Sequence, residues 1–514
     1  MNQISRRGLL RSGAAAGVLA ASGLPVMAQT QRGGRLRAGL SGADRSDSFD
    51  GRTHMDIFMI ATAQGCVFDS LTEIAADGSL RGELAESWDA SSDAKTWTFK
   101  LRRGVTFHNG KAFGADDVIA SLWMHMEAGA TSAARPVVAT ISEMKKVTDH
   151  LVQFTLEAGN ADFPYMMSDY HLLMYPAGQI EEAIAKGIGT GLYRTVSFDP
   201  GMCFVGVRVA DHYKGDTAGW FDEIEYFAIN DTAARTNALM TGQVDAINRI
   251  DFRSEERLRA SRGVRIQEVT GNQHYTFPML SGVAPFDQLN VRRALKYGID
   301  RRELVDTILQ GHGQVASDTP IGPANQYFAA DMEPPAHDPD KARFYLKQAG
   351  LASLDIDLSV SDTAFDGAVD AAQAFRNSAS AAGIVINVVQ EPAGGYWSDV
   401  WLKKPFCACS WSGRATEDLM FATAYLTGAP WNDSQWDHPR FQELVSAART
   451  ELDSETRRLH YREMQQILRD DGATLIPMFA NYVQAVSEKV SSPVMVGNQG
   501  QMDNGRMAER WWMA

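Results

Sequence analysis

Three things are scarce in this 514-residue sequence, and each scarcity excludes a class of function. Positive charge is outnumbered: 49 Lys and Arg stand against 63 Asp and Glu, a formal net charge of −14. An acidic surface of that size argues against a nucleic-acid partner and against docking on anionic lipid. Beyond the N-terminal segment no apolar run is long enough to cross a bilayer, so no membrane-spanning helix is expected there. Cysteine is rare. Cys407 and Cys409 have no second CxC and no nearby His pair, so a structural zinc site is not expected. They read as small buried hydrophobes. Whether Cys66 pairs with Cys203 is left open by spacing alone.

Catalytic signatures are missing too. There is no GxSxG and no HExxH, and the 11 histidines are scattered. Gly104 to Lys111 has one residue too many between its glycines for a phosphate loop, with Ala112 where Ser or Thr is needed. Gly187-Ile188-Gly189-Thr190-Gly191-Leu192-Tyr193 is glycine-rich, but Tyr193 to Phe198 reads as a strand. A phosphate cradle needs a helix N-terminus at that point, so the glycines read as a structural turn. Leu354 to Ser361 alternates like a strand and lacks the Gly and terminal Glu of a calcium loop. No catalytic residue, metal ligand or cofactor is expected.

What is present begins with an address. Ser5-Arg6-Arg7-Gly8-Leu9-Leu10-Arg11 is a twin-arginine pattern followed by an uncharged run of small residues. Val26-Met27-Ala28 supplies the small residues of a cleavage site, so residues 1–28 are expected to be an export signal to the periplasm. No Cys stands there to carry a lipid.

At this length two or three domains are expected. Gly34 to Leu40 is a first strand, and Ser46 to Asp56 a polar loop after it. Trp97, Phe99 and Leu101 alternate with polar residues as a half-buried strand, with a short second strand at Val105 to Phe107 and a helix from Ala115 to Trp123. Leu151 to Leu156 is another strand. Glu223 to Ile229, Thr232 to Met240 and Val244 to Ile250 form a βαβ unit, its helix capped by Asp231 and stopped by Gly242. Val291, Ala294, Leu295 and Gly298 mark one helical stripe. A second helix follows the capping-box start Asp300-Arg301-Arg302-Glu303, and a third follows Asp338-Pro339. Phe365 to Ala382 reads as a helix and Ile384 to Val389 as a strand. The arginines at 292, 293 and 301 read as a solvated, ion-paired helix face.

The order of several motifs resembles the extracytoplasmic solute-binding proteins of family 5, the peptide, opine and nickel receptors of ABC importers. They are Phe68-Asp69-Ser70-Leu71, Leu84-Ala85-Glu86-Ser87-Trp88, Trp97-Thr98-Phe99, Leu101-Arg102-Arg103-Gly104-Val105, Phe107-His108-Asn109-Gly110-Lys111 and Ala115-Asp116-Asp117-Val118. Asn160 to Pro164, Gly242-Gln243-Val244-Asp245, Arg292-Arg293-Ala294-Leu295 and Gly311-His312-Gly313 extend the likeness over most of residues 33–490.

The resemblance implies an α/β, two-lobed periplasmic-binding-protein fold (type II-like, cluster C) with an extra domain inserted in the first lobe. Lobe I would comprise residues 33–60, 187–285 and 490–514, the extra domain 61–186, and lobe II 286–489. Hinge motion is then expected near Val283–Leu289 and Glu488–Val494. A monomer would capture a small-molecule or peptide-like ligand between the lobes and dock on ABC permease subunits. A secreted hydrolase of peptide-like substrates, and a periplasmic sensor or chaperone, are the alternatives.

Peptide receptors of this family carry Trp-x-x-Asp where this chain has Trp411-Ser412-Gly413-Arg414. Trp411 matches; Arg414 replaces the carboxylate that would receive an ammonium group. Arg414 either meets an anionic ligand group or pairs locally with Glu417 or Asp418. Phe49 and Asp50 in the first polar loop, and His274 and Tyr275, complete the candidate ligand-binding residues.

Overall fold

The computed structural model describes residues 30–429 and 431–514, without the side chain of Arg253. The expected export signal at 1–28 lies outside the described residues. In chain order the strands are β1 (Arg35–Leu40), the hairpin β2 (Thr72–Ile74) and β3 (Leu80–Gly82), then β4 (Ala85–Ala90), β5 (Thr96–Leu101), β6 (Ile141–Thr148) and β7 (Leu151–Leu156). There follow β8 (Tyr193–Asp199), β9 (Cys203–Arg208), β10 (Glu223–Ala228), β11 (Ala246–Ile247), β12 (Val264–Pro278) and β13 (Gly313–Val315). The last are β14 (Leu354–Val360), β15 (Ile384–Gln390), β16 (Cys409–Trp411), β17 (Thr474–Ser487), β18 (Val490–Ser491) and β19 (Trp512–Met513).

One nine-stranded sheet runs in the order β16-β12-β17-β11-β1-β10-β9-β8, with β13 added to β17. In its first half β10 and β11 flank β1, both parallel to it. The helix Thr232–Met240 joins them, its first turn closed by Asp231 accepting from the Ala234 N–H at 2.7 Å, as the sequence pattern predicts. Leu36, Ala38 and Leu40 of β1 share a core with Phe204, Tyr226 and Trp511. Helix Ile57–Thr62 and the turn through Val67, which straddle the expected boundary at residue 61, pack in this same core.

The insert is a four-stranded antiparallel sheet, β4-β5-β7-β6, with its own core from Leu71 to Met174. Trp97, Phe99 and Leu101 point into it. The expected strand at 105–107 is reduced to one bridge between Thr106 and Ala112. The chain turns back too soon for more: the Gly110 N–H donates to the Phe107 carbonyl at 2.8 Å. The glycine run before β8 is structural. A Cβ on Gly189 would sit 2.0 Å from the Val67 carbonyl oxygen, and one on Gly191 2.2 Å from that of Cys66.

In the second half, β14 and β15 pair in parallel under the helices Leu289–Gly298 and Ala368–Ser380. A second cluster there gathers Phe421, Phe441, Tyr461 and Leu468. The basic residues of helix Leu289–Gly298 do not form a solvated face. Arg292 and Lys296 are 6% and 3% exposed. Arg292 donates to the Asp471 carbonyl, Arg293 to that of Asp470, and Lys296 to those of Leu468 and Arg469. Together they cap the C-terminus of helix Ser454–Asp471, whose last carbonyls have no partner within the helix. Arg301 is also buried, bonded to Asp318 and to two backbone carbonyls.

β12 and β17 are the longest strands, 15 and 14 residues, and they belong to both halves. Val264 to Val269 pairs with Ser487 to Tyr482 beside β11, while Gln273 to Pro278 pairs with Ala480 to Thr474 beside β13 and β16. The register breaks between Val269 and Gln273. The two strands therefore run continuously from one half into the other. The two loops where the hinge was expected are tied into the lobes: Phe286 packs on Phe406 at 5.3 Å, and β18 pairs with β19.

Candidate functional site

The sheet's free corner at β16 positions the motif that departs from the family pattern. Trp411 lies opposite His274 of β12, and Ser410 opposite Tyr275. Beyond Trp411 the chain crosses the Asn272 side chain, and a Cβ on Gly413 would fall 1.8 Å from Asn272 Cγ. Any other residue there would have to displace the Asn272 amide, and the chain goes on to place Arg414 near Asp169 of the insert. Arg414 Nη1 donates to the Ser412 carbonyl at 3.0 Å, and among the described residues the guanidinium forms no ion pair. Both local partners are engaged elsewhere: Glu417 accepts from the Tyr327 N–H at 2.7 Å, and Asp418 from Arg449 Nε at 2.7 Å. Burial loosens Arg414's hold on its proton, and the Asp169 carboxylate on the insert acts against that. Asp169 is itself held by His171 Nδ1 at 2.6 Å.

Trp411 is only 5% exposed because other tryptophans cover it. Trp401 and Trp431 each lie 6.1 Å from it and 6.3 Å from one another, so the three rings fill the space between them. This is a wall, not a cage. Behind it, buried Asp433 accepts from Trp401 Nε1 at 3.1 Å and also bonds the Trp411 side chain; burial pushes its carboxyl up to about 7. The open aromatic area belongs to Trp397 and Trp431, 44% and 47% exposed.

His274 and Tyr275 lie on opposite faces of β12. His274 is fully buried beside Phe479, with Nδ1 3.2 Å from the Asn272 carbonyl oxygen and Nε2 unpartnered. Burial holds its proton affinity down, to about 4. Tyr275 stacks on Phe365 with ring centres 4.3 Å apart. The structure brings these two together with Trp411 and Arg414. It places Phe49 and Asp50 elsewhere. Phe49 is 1% exposed in the first-half core, 4.6 Å from the Phe198 ring. Asp50 caps the turn Gly51–Thr53 and binds Arg52 through both oxygens.

A polar network beginning at Asn272, beneath Gly413, escapes sequence reading. Asn272 donates to Gln499 Oε1 at 2.7 Å, and Gln499 donates to the Ala324 carbonyl at 2.6 Å, joining the two halves. At the C-terminal ends of β1 and β11, Asn248 bonds Ser41 and Gln501. Crevices at such strand ends are where α/β sheets meet ligands. The network is shaped by a left-handed turn at Met502, Asp503 and Asn504, with φ of 52°, 61° and 60°. Each such residue costs roughly 1–2 kcal/mol. Asp503 offsets the strain by accepting from the Gly497 N–H, Trp511 Nε1 and Arg510 Nη1. The readable signal was the Gly, Asn and Asp content of residues 497–505.

Asp69, Glu83 and Glu509 converge closely enough to hold a metal ion. Cations of the chain occupy that place. Lys214 bonds all three, and Arg506 bonds Glu83 and Glu509. Asp69 also accepts from Thr190, which ties the Phe68-Asp69 motif to the glycine turn. All four cysteines are free thiols.

With this geometry in hand, likeness to known proteins can be placed on it. The family described as "Bacterial extracellular solute-binding proteins, family 5 Middle" matches residues 79–433. The chain is 26% identical over 452 residues to the dipeptide-binding protein of Escherichia coli (strain K12), covering 80% of this chain and 83% of that protein. It is 28% identical over 444 residues to di/tripeptide-binding protein 1 of Pseudomonas aeruginosa (strain UCBPP-PA14), covering 79% and 81%. The solved structure of HbpA2 from Haemophilus parasuis shares the two-lobed fold, with a TM-score of 0.82 at 18% identity over 91% of this chain and 98% of that one.

Proposed function

Because the chain belongs to family 5 of the bacterial extracellular solute-binding proteins, we propose that it is the ligand-capturing receptor of an ABC importer, acting on a peptide-like, opine-like or other small organic solute that carries an anionic group. Its relatives are named for dipeptides and di- or tripeptides, and others for heme, nickel and glutathione; the departure concerns the peptide receptors. Arg414 carries the departure from them. A guanidinium near the insert without a carboxylate partner among the described residues offers a planar fork of donors suited to a carboxylate. The tryptophan wall supports an apolar group beside that anion, and the amide network supports hydrogen bonds along its length.

In this reading the twin-arginine leader exports the protein to the periplasm, where it works as a monomer. It delivers its ligand to permease subunits in the inner membrane and performs no covalent chemistry. Closure is an equilibrium. Moving it from 1:99 to 99:1 requires about 5.5 kcal/mol of preference for the closed state, supplied by ligand contacts to both halves. Native mass spectrometry of protein purified without refolding tests the proposal. A bound small solute with a carboxylate or other acid is the expected result; a neutral or cationic one overturns the role given to Arg414. A preparation that carries no solute, and binds none from a library of peptides and acylated amino acids, overturns the receptor itself.

A further inference from the structure

The loop Asn160–Pro164 is anchored in the insert: Phe163 lies in the insert's core, and the Asn160 N–H donates to the Ala94 carbonyl at 3.0 Å. Its other side rests on the second half. The Ala161 N–H donates to the Arg449 carbonyl at 2.6 Å, and a Cβ on Gly159 would come within 2.9 Å of Thr450 Cγ2. Between these, Asp162 pairs with Arg457 of helix Ser454–Asp471, the two side chains 3% and 7% exposed. The second half holds Arg457 ready without help. Its guanidinium carbon lies 5.2 Å and 5.6 Å from the Tyr327 and Tyr461 rings, which stack 5.0 Å apart. Tyr165 and Gln326 add a hydrogen bond of 3.0 Å across the same seam.

We propose that the Asp162–Arg457 pair is the latch of the closed receptor, two positioning residues that govern ligand capture without touching ligand. The inference rests on the receptor reading, since only a hinged molecule separates these surfaces. A pair sealed from water adds little net attraction, because both ions were hydrated before closing. It acts by penalty. When one partner is missing, or when the halves meet out of register, the other ion is buried without compensation. Replacing both by apolar residues removes the penalty altogether, and such replacements of buried pairs are often neutral or stabilising.

Hydrogen exchange on the full mature protein, with the solute that co-purifies with it bound, tests this. Asp162→Ala and Arg457→Leu are each expected to speed exchange at the Ala161 amide and its neighbours by about a hundredfold or more, with protection in β5 and β14 unchanged. Small-angle scattering should show both variants more extended than wild type. The double variant Asp162→Leu/Arg457→Met should return both readouts to wild-type values. Wild-type exchange at Ala161 in the single variants overturns the latch. So does an equal loss of protection throughout the cores, which would make the pair a support of the fold. Failure of the receptor reading would show differently, as the lack of any bound or bindable solute.

Discussion

Arg414 is the residue on which ligand choice turns. Removing one partner of a buried, hydrogen-bonded charge pair typically costs about 2–5 kcal/mol. Calorimetry with the identified ligand should therefore show Arg414→Ala losing affinity by that order. Equal affinity would reduce Arg414 to a bystander. Asp433 gives a prediction with a sign. In the folded protein it keeps its proton up to about 7, whereas its ordinary value is 3.8. Between those values the folded state binds more protons than the unfolded one, so this residue subtracts stability as pH rises through the window. Asp433→Asn keeps an acceptor for the indole N–H groups and cannot ionise. Its stability relative to wild type should grow from about pH 4 to about pH 7, by on the order of 4 kcal/mol. Urea unfolding at the two ends of the range checks it; a flat difference would contradict the buried-acid account.

At the scale of elements, β12 and β17 are where bending is expected. Their ladder slips between Val269 and Gln273, and a Cβ on Gly271 would sit 2.4 Å from the Ala480 carbonyl oxygen. Gly271→Val should stiffen or break this crossing, costing about 1–3 kcal/mol through overpacking, and should alter ligand affinity from outside the site. Spin-label distances across the halves, compared with and without ligand, locate the pivot. A pivot at Val283–Leu289 would contradict the strand hinge.

Elements with a clean period were legible in sequence: β5, β7, β14 and the helix Thr232–Met240 match their expected ranges within a residue. β12 was not, for a physical reason. Its second half is buried on both faces, so polar–apolar alternation vanishes where the halves join. The site divides the same way. Trp411 and Arg414 stand in a local motif, whereas the amides at 248, 272, 499 and 501 meet only through folding. Phe49 looked like a loop residue because the aromatic core that claims it comes from distant segments, Phe68, Phe198 and Phe204.

For the whole molecule, two measurements bear on the proposed life cycle. Protein recovered from the periplasm should begin at Gln29, and full-length chain in the membrane would contradict removal of the leader. Scattering should report a smaller radius with saturating ligand, as a hinged closure requires.

The sheet that spans both halves also sets an order of events in time. Leu36 and Ala38 of the first strand share their core with Met502, Met507 and Trp511, and β11 waits for β17 as a neighbour. Synthesis at about 5–20 residues per second separates the first strand from Trp511 by roughly half a minute to a minute and a half. Throughout that interval one flank of the first core stays open to water and to whatever binds unfinished apolar surface. Such distant pairings also slow the search once the chain is complete. The proposed export address is thus made first and the lobe behind it is sealed last, so reading the address and finishing the fold are separate moments in the history of each molecule.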